Sequence, residues 1–472
     1  MTTLSEAIAK VSNKTTTENG MEIKRSSESK LVDLFFAFGA SRGQDELIVE
    51  KFAQAFNEDP EVAVRILLHG RDAREGMGER QLFRSVVKHL AVLDYKLAER
   101  VLPKIPELGR WDDVLCLIDT PVGKDALEMI EKALYAGDGL CAKWMPRKAT
   151  KADNSAARIR KHMNLTPRAY RKLLVRLSET VEQQMSAKQF DQIEYSRVPS
   201  VAAARYQAAF DRNDPDRYAE YRDSLVKGDS DTKINAGAVF PYDVVRAAFT
   251  GDEAVANEQW KSLPDWIPND KSFLSVVDVS GSMTAHQVSG AVDAREVAIG
   301  LGLYVAERCK AEAFRNKFIT FSTKPEFVDV SGLALKPAIR RAERSNWAMT
   351  TNLEATLDLI VDSAVEHNVD PKDMPECLII FSDMQFNQGV DSPNKPNAMI
   401  KQKFKNNGYK VPQIVYWNLA NTERNTPVSF DKSGVALVSG FSPSLMKSVL
   451  SADQLNPMDI MLSAVMDDRY NF

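Results

Sequence analysis

The hydrophobic pattern of this chain changes near residue 270. Before that point, apolar residues recur every three or four positions, as in 30–40 (KLVDLFFAFGA), 47–56, 60–71 and 80–93 (RQLFRSVVKHLAVL). This period is that of amphipathic helices, and glycine, proline and aspartate separate the periodic segments. The pattern therefore predicts antiparallel helix pairs. Such pairs stack into a HEAT-like solenoid or ring, although no strict repeat length is found here.

After residue 270, short apolar runs alternate with longer amphipathic segments. The runs are rich in β-branched and aromatic residues, which favour strands, and the segments between them have the period of helices. The predicted strands are 273–277, 317–322, 376–382, 412–419 and 435–440, and the helical segments include 288–309 and 352–367. Because strand and helix alternate, we expect a doubly wound, mostly parallel sheet.

The chain has 472 residues, which is too long for a single core. Prolines and aromatic residues interrupt the periodic pattern at 260–272 (WKSLPDWIPNDKS). The fold class is therefore multidomain, α followed by α/β. We predict a flexible amino-terminal segment at 1–28, a helical repeat domain at 29–264 and an α/β domain at 269–472.

Oxygen-bearing side chains follow two of the predicted strands. Asp278, Ser280 and Ser282 come directly after the first strand, and Asp383 follows the strand at 376–382. Thr351 opens the helix at 352–367. Ligands of open α/β sheets bind just beyond the carboxyl ends of the strands. Oxygen-only ligands favour Mg²⁺, Mn²⁺ or Ca²⁺ over zinc, so the sequence predicts a divalent metal site; the alternative is a simple helix cap.

A basic segment stands out in a chain whose net charge is −4. Residues 143–176 contain eleven lysines and arginines against one acid, Asp153, with Trp144, His162 and Tyr170 interleaved. A solvated helix face normally mixes both signs, so this segment favours binding of a polyanion. Docking on an acidic surface of the same chain, with aromatic residues in the core, is the alternative. The predicted RNA-binding residues are Lys143, Trp144, Arg147, Lys148, Lys151, Arg158, Arg160, Lys161, Arg168, Tyr170, Arg171 and Lys172.

A second charged element lies at 69–80 (HGRDAREGMGER). Its mixed charges, which include Arg71, Asp72 and Arg80, favour an ion-pair lattice between helices over arginine forks that bind RNA. Gly76 and Gly78 supply the turn before the next helix.

Several of these motifs resemble known families. The pattern D-x-S-x-S, then T, then D resembles the metal-ion-dependent adhesion site of the von Willebrand factor A domain. That resemblance implies direct coordination by Ser280 and Ser282, with Thr351, Asp278 and Asp383 bound directly or through water. The element at 69–80, with 107–117, 141–151, 165–174 and 233–245, resembles Ro-like proteins, which join a helical TROVE-type module to an A domain. The resemblance implies binding of small noncoding or structured RNA.

Three functions are compatible with these features. The leading one is a noncatalytic RNA-binding protein whose metal docks an acidic residue of a protein partner. The second is a metal-dependent protein-interaction scaffold that never binds RNA. The third, an enzyme of phosphoryl transfer, is disfavoured because the sequence lacks a nucleotide-binding loop and a nearby general base. The four cysteines are dispersed, the chain has no apolar run long enough to span a membrane, and its amino terminus is polar. We therefore predict a soluble cytoplasmic protein.

Overall fold

The chain forms two compact units that are each built from separate stretches of sequence. The computed structural model describes residues 12–17, 20–150, 153–178, 180–227, 232, 234–236, 239–267, 271–285, 287–289, 292–322, 324–345, 352–386, 396–420, 425–452 and 454–472. One unit comprises Met1–Ile66 and Val239–Asp467, and we call it the sheet unit. The other comprises Leu67–Ala238 and Asp468–Phe472, and we call it the helical unit.

A six-stranded sheet forms the centre of the sheet unit. Two short antiparallel hairpins, β1 with β2 and β4 with β5, lie outside it. The strands are β1 (Lys14–Thr16), β2 (Glu22–Lys24), β3 (Phe273–Asp278), β4 (Gln287–Ser289), β5 (Val292–Asp293), β6 (Lys317–Phe321), β7 (Phe327–Asp329), β8 (Cys377–Ser382), β9 (Gln413–Asn418) and β10 (Val435–Ser439). The order of the large sheet is β10-β9-β8-β3-β6-β7, and every pairing is parallel except that of β6 with β7. The predicted, mostly parallel sheet is therefore confirmed.

Helices account for most of the rest of the described chain. They are α1 (Lys30–Phe38), α2 (Asp45–Glu58), α3 (Pro60–Arg71), α4 (Gln81–Leu93), α5 (Tyr95–Val101), α6 (Lys104–Leu108), α7 (Trp111–Val114), α8 (Gly123–Tyr135), α9 (Gly139–Trp144), α10 (Ser155–His162), α11 (Pro167–Leu177), α12 (Val181–Ser186), α13 (Ser200–Asn213), α14 (Pro215–Lys227), α15 (Pro241–Thr250), α16 (Glu253–Lys261), α17 (Gly281–Ala285), α18 (Ala294–Arg308), α19 (Leu335–Arg344), α20 (Leu353–Glu366), α21 (Pro396–Asn406), α22 (Met446–Ser451) and α23 (Pro457–Val465). The predicted helical character of the first half of the chain is confirmed.

The central strands are buried along their whole length. Every residue of β3 and β8 is buried, which explains why both strands are mostly apolar. Helix α18 packs closely on β3: a Cβ at Gly302 would stand 2.3 Å from Cγ2 of Val277. Glycine at this position therefore allows the helix to approach the strand.

The amino-terminal helix α1 belongs to the sheet unit. It is apolar on almost every face, and Phe35, Phe36 and Phe38 are at most 2% exposed. Its carbonyl oxygens accept hydrogen bonds from the last residues of β10 and β9. Ser439 Oγ donates to Phe35 O at 3.0 Å, and Asn418 Nδ2 donates to Phe36 O at 3.2 Å. The helix thus covers strands β9 and β10.

This packing differs from the predicted linear domains at 1–28, 29–264 and 269–472. Residues 14–16 and 22–24 pair as antiparallel strands, and α1, α2, α15 and α16 belong to the sheet unit instead of forming part of a helical domain. The division between the two units falls inside α3, between Ile66 and Leu67. The physical reason is that the hydrophobic period of a helix indicates that one face is buried, but not which element buries it.

The helical unit has its own core. One aromatic cluster consists of Tyr195, Phe210 and Tyr218, whose ring centroids lie 5.0–5.4 Å apart. The last residues of the chain also pack in this unit, where the ring of Tyr470 lies 5.5 Å from that of His69.

Candidate metal site and basic surface

The first candidate site lies at the carboxyl edge of the sheet, between β3 and β8. These two strands pair in parallel, with Val277 opposite Phe381, so the polar residues that follow them meet at the same edge. From β3 the chain continues to β6 on one side, whereas β8, β9 and β10 lie on the other. The site is therefore at a topological switch point, where ligands of open α/β sheets bind.

Hydrogen bonds hold Asp278 in one orientation. The side chain is fully buried; its Oδ1 accepts from the backbone N–H of Ser280 at 2.9 Å, and its Oδ2 accepts from the hydroxyl of Ser382 at 2.6 Å. The Ser280 and Ser282 hydroxyl oxygens lie 3.0 Å apart. The structure therefore brings the D-x-S-x-S side chains together, as the sequence predicted.

Asp383 lies on the neighbouring strand end and is also fully buried. Its Oδ1 accepts from the backbone N–H of Gln385 at 3.1 Å, whereas Oδ2 has no hydrogen-bond partner in the described part of the chain. The intervening residue, Met384, has a φ of 66°, which is uncommon for a residue with a side chain. Burial, followed by the charge of Asp383, raises the pKa of Asp278 to about 7.

Two buried carboxylates that repel each other can be stabilised by a cation. Asp278 and Asp383, together with the two serine hydroxyls, offer only oxygen, which suits a hard divalent ion. Among the residues that the structure describes, no group of three His, Cys, Asp or Glu could hold a metal, so hydroxyl ligands would be needed. The fifth predicted ligand, Thr351, lies outside the described residues. The donor set fits a divalent cation.

The second candidate site is the basic segment of the helical unit, which carries α10 and α11. Most of its cationic side chains are exposed, whereas Lys143 and Arg160 are partly buried and Lys151 lies outside the described residues. The exposed ones are Arg147, Lys148, Arg158, Lys161, Arg168, Arg171, Lys172 and Arg176. The segment therefore presents a surface of one sign, which we call the basic surface.

Few acids neutralise the basic surface. Arg158 pairs with Asp119 at 2.6 Å, and Lys143 lies 3.8 Å from Glu182. Within the described residues, none of the other predicted cations of this surface takes part in an ion pair. The alternative that the segment docks on an acidic surface therefore receives no support inside the helical unit. A shallow pocket of about 390 Å³ lies along α10 and the turn that follows it, and is lined by Arg158, Arg160, Lys161 and Asn164 among others.

The aromatic residues of the segment differ from the prediction. Tyr170 is 1% exposed and its hydroxyl donates to Pro146 O at 3.3 Å, so it is a core residue and cannot stack on a base. Burial raises the pKa of its hydroxyl. His162 lies 3.1 Å from Glu131. Trp144 is partly exposed, but the guanidinium carbon of Arg110 lies 3.9 Å from its ring centroid. One face of Trp144 is therefore already covered by a cation.

The element at 69–80 forms the expected lattice, but its partners lie elsewhere in the chain. Arg71 Nη2 pairs with Asp113 Oδ2 at 2.6 Å, and Asp72 pairs with Arg469. Neither partner lies within the element itself. The segment 107–117 (ELGRWDDVLCL) carries a sequence signal for Asp113, because two acids follow Arg110 and Trp111 at the start of a helix. The pairing itself was not predictable from that spacing.

The fold is similar to that of a Ro protein. The crystal structure of the Ro (RSR) protein of Deinococcus radiodurans matches 94% of this chain and 100% of that chain, with a TM-score of 0.52 and 15% identity. At this identity the likeness concerns the fold alone.

Relatives in sequence carry no described function. Residues 272–469 match the family model "Domain of unknown function (DUF7788)", and residues 17–92 and 127–269 match "Domain of unknown function (DUF2828)". The chain is also 29% identical to "Uncharacterized protein L728" of Acanthamoeba polyphaga mimivirus. The alignment is 512 positions long and covers 96% of this chain and 87% of that protein. None of the described helices is long and apolar enough to cross a membrane.

Proposed function

We propose that this chain is a noncatalytic, Ro-like RNA-binding protein. In this proposal a TROVE-type helical module binds small or structured RNA, and a von Willebrand A domain holds a divalent cation that docks a protein partner. The observation that carries the RNA function is the basic surface, where eight exposed cations have one ion pair among the described residues. Phosphates would replace the missing acids and release their own counterions.

The metal would be held by Asp278, Ser280, Ser282 and Asp383, with Thr351 as a further ligand. The free Oδ2 of Asp383 supports this assignment, because a buried carboxylate oxygen without a partner is costly unless a ligand completes it. A bound Mg²⁺, Mn²⁺ or Ca²⁺ would take a carboxylate from the partner in an open coordination position. The protein residues would orient the hydroxyls and keep water from the buried carboxylates.

The RNA function is tested by charge reversal on the full-length protein. The test variant carries Lys148→Glu, Lys161→Glu, Arg168→Glu and Lys172→Glu; these side chains are exposed and have no ion pair in the described region. The matched control changes four exposed cations of the sheet unit, Arg340, Arg341, Lys405 and Lys432, to glutamate. Filter binding of unrelated structured RNAs at two salt concentrations measures the affinity.

We expect wild type to lose affinity steeply with salt, and the test variant to bind weakly with a shallower log–log slope. Each true phosphate contact that is removed lowers the slope by about one. The control variant should bind like wild type. Equal RNA affinity in all three proteins, insensitive to salt, would contradict the proposal. That result would favour the alternative, a metal-dependent protein scaffold that does not bind RNA. The buried Oδ2 of Asp383, which has no hydrogen-bond partner in the described chain, also supports that alternative.

A further inference from the structure

Four arginines meet around two aspartates in the helical unit, outside the basic surface. Arg71 ends α3, Arg80 precedes α4 and Arg84 lies on its first turn, while Arg110 precedes α7. Asp112 and Asp113 lie in the first turn of α7. We call this group the arginine cluster; its members are Arg71, Arg80, Arg84, Arg110, Asp112 and Asp113.

Asp113 organises the buried part of the arginine cluster. It is fully buried and accepts from Arg71 Nε at 2.8 Å, from Arg84 Nε at 2.7 Å and from the backbone N–H of Arg110 at 3.0 Å. Glycine at 109 makes room for this arrangement, because a Cβ there would stand 2.6 Å from Arg71 Nε. Asp113 therefore fixes two guanidinium groups with charge-assisted hydrogen bonds.

Asp112 fixes the outer part. Its Oδ2 lies 2.7 Å from Arg110 Nη2 and 2.9 Å from Arg84 Nη2, and its Oδ1 accepts from Arg110 Nε at 2.9 Å. Side chains of Arg84 and Arg110 remain 23% and 28% exposed. Both guanidinium groups are thus held in place by protein contacts while part of each still faces solvent.

Arg80 is the cation that the aspartates do not neutralise. Its side chain is exposed and takes part in no ion pair within the described residues. Although the residue as a whole is exposed, partial burial, followed by the charges of Arg110 and Arg84, lowers its pKa below the usual range, and Asp112 and Asp113 act in the opposite direction. Four guanidinium groups against two carboxylates leave two positive charges without a counterion in the group.

The chemistry of this excess charge favours a phosphate group. Arginine forks match the oxygens of phosphate. The two fixed forks of Arg84 and Arg110, with Arg80 one helical turn before Arg84, can together bind several oxygens of a tetrahedral anion. Next to them, Arg110 stacks on Trp144, and Lys143 Nζ lies 5.7 Å from the same ring. An aromatic ring beside a phosphate site is the arrangement in which a nucleotide base can stack.

We propose that Arg80, Arg84 and Arg110 form a preorganised phosphate-binding site, which binds a backbone phosphate of the RNA. The binding of an RNA phosphate rests on the proposed function, whereas the existence of the phosphate site does not. The site differs from the basic surface because two of its three cations, Arg84 and Arg110, are fixed by aspartates.

The phosphate site is tested on the full-length protein with inorganic pyrophosphate as the probe. The variant Arg80→Ala removes the cation without an ion pair, and Arg74→Ala, an exposed arginine of the same loop, is the matched control. Thermal unfolding at constant ionic strength and isothermal titration calorimetry are measured with pyrophosphate and with chloride. We expect pyrophosphate to raise the unfolding temperature of wild type and of the control, and to leave Arg80→Ala unchanged.

RNA titrations of the same three proteins separate the two parts of the proposal. We expect Arg80→Ala to bind unrelated RNAs more weakly, with a log–log salt slope that is lower by about one. If pyrophosphate binds through Arg80 but no RNA binds to any protein, the phosphate site stands and the RNA function fails. If Arg80→Ala binds pyrophosphate as tightly as wild type, the site is disproved, whatever the RNA result. If pyrophosphate binds to neither wild type nor Arg80→Ala, the site is disproved too.

Discussion

Arg469 and Asp72, which lie 397 residues apart in the chain, form a two-point ion pair in the helical unit. Arg469 Nη2 donates to Asp72 Oδ1 at 3.0 Å, and Arg469 Nε donates to Asp72 Oδ2. The hydroxyl of Tyr470 also donates to Oδ2, at 3.1 Å. Asp72 is fully buried, and this pairing supplies its counter-charge.

The first prediction concerns this ion pair. Replacing Arg469 by alanine leaves Asp72 buried and charged, and breaking buried pairs in this way costs about 3–5 kcal/mol. Because Arg469 remains 22% exposed, we expect the lower end of that range. Chemical denaturation measures the free energy of unfolding. The double variant Asp72→Asn with Arg469→Gln should lose less stability than Arg469→Ala, since it leaves no unpaired charge.

The second prediction is the pH dependence of the same pair. Burial alone would raise the pKa of Asp72, but the hydrogen bonds and charge of Arg469 bring it below the usual 3.8. A depressed carboxyl pKa contributes stability that is present above its unfolded value and is lost as pH falls through the folded value. The stability difference between wild type and Asp72→Asn should therefore persist at pH 7 and shrink below about pH 4. A difference that grows in acid would contradict the assignment.

The third prediction concerns the metal. Wild type should bind Mg²⁺ or Mn²⁺ in calorimetry, and Asp383→Asn should weaken that affinity about 10–100-fold, as expected for groups that orient or complete a metal site. At a metal concentration of 100 times Kd, the bound ion should stabilise wild type by about 2.7 kcal/mol. Zinc should not be preferred, because the proposed donor set of Asp278, Ser280, Ser282, Thr351 and Asp383 contains only oxygen.

Asp373→Asn is the control for this experiment, because Asp373 is an exposed acid of the same unit. Asp373→Asn should bind metal like wild type and unfold cooperatively. Asp383→Asn should also unfold cooperatively in the absence of metal. Equal metal affinity in wild type and Asp383→Asn would show that the ion, if it binds at all, occupies another place.

The fourth prediction separates the two aromatic residues of the basic segment. Tyr170→Phe should cost about 1 kcal/mol of stability through the lost hydrogen bond and leave RNA affinity unchanged. Trp144→Ala should weaken RNA binding by about 1–3 kcal/mol if a base stacks on its open face. RNA titrations and thermal unfolding distinguish these effects. An RNA-binding defect in a well-folded Tyr170→Phe protein would contradict the core position.

The fifth prediction is that residues 269–472 do not form a stable fragment on their own. This fragment lacks α1, whose phenylalanines cover the sheet edge at Ser439, and it lacks α15 and α16. The exposed apolar surface should bind a hydrophobic dye, and unfolding should not be cooperative. Co-expression of 1–66 with 239–472 should restore cooperative unfolding. A cooperative 269–472 fragment would mean that the amino-terminal helices are dispensable for the sheet.

Local elements were predictable because their signals are local. The helix predicted at 60–71 has those bounds, and the helix predicted at 352–367 spans Leu353–Glu366. The predicted helix at 288–309 begins later, at Ala294, because the hairpin β4–β5 occupies its first residues. This deviation arises where the pairing of two short neighbouring strands competes with the helical period.

By itself, the sequence determined the helices, the buried strands and the oxygen ligands at the strand ends, since periodicity and residue chemistry are encoded locally. Only the tertiary structure decided which surfaces those elements bury. It brought Asp278 and Asp383 together, placed Tyr170 in the core, and paired Asp72 with Arg469 at the opposite end of the chain. These outcomes depend on long-range packing, in which an apolar face or a charge finds a partner that no spacing along the chain identifies.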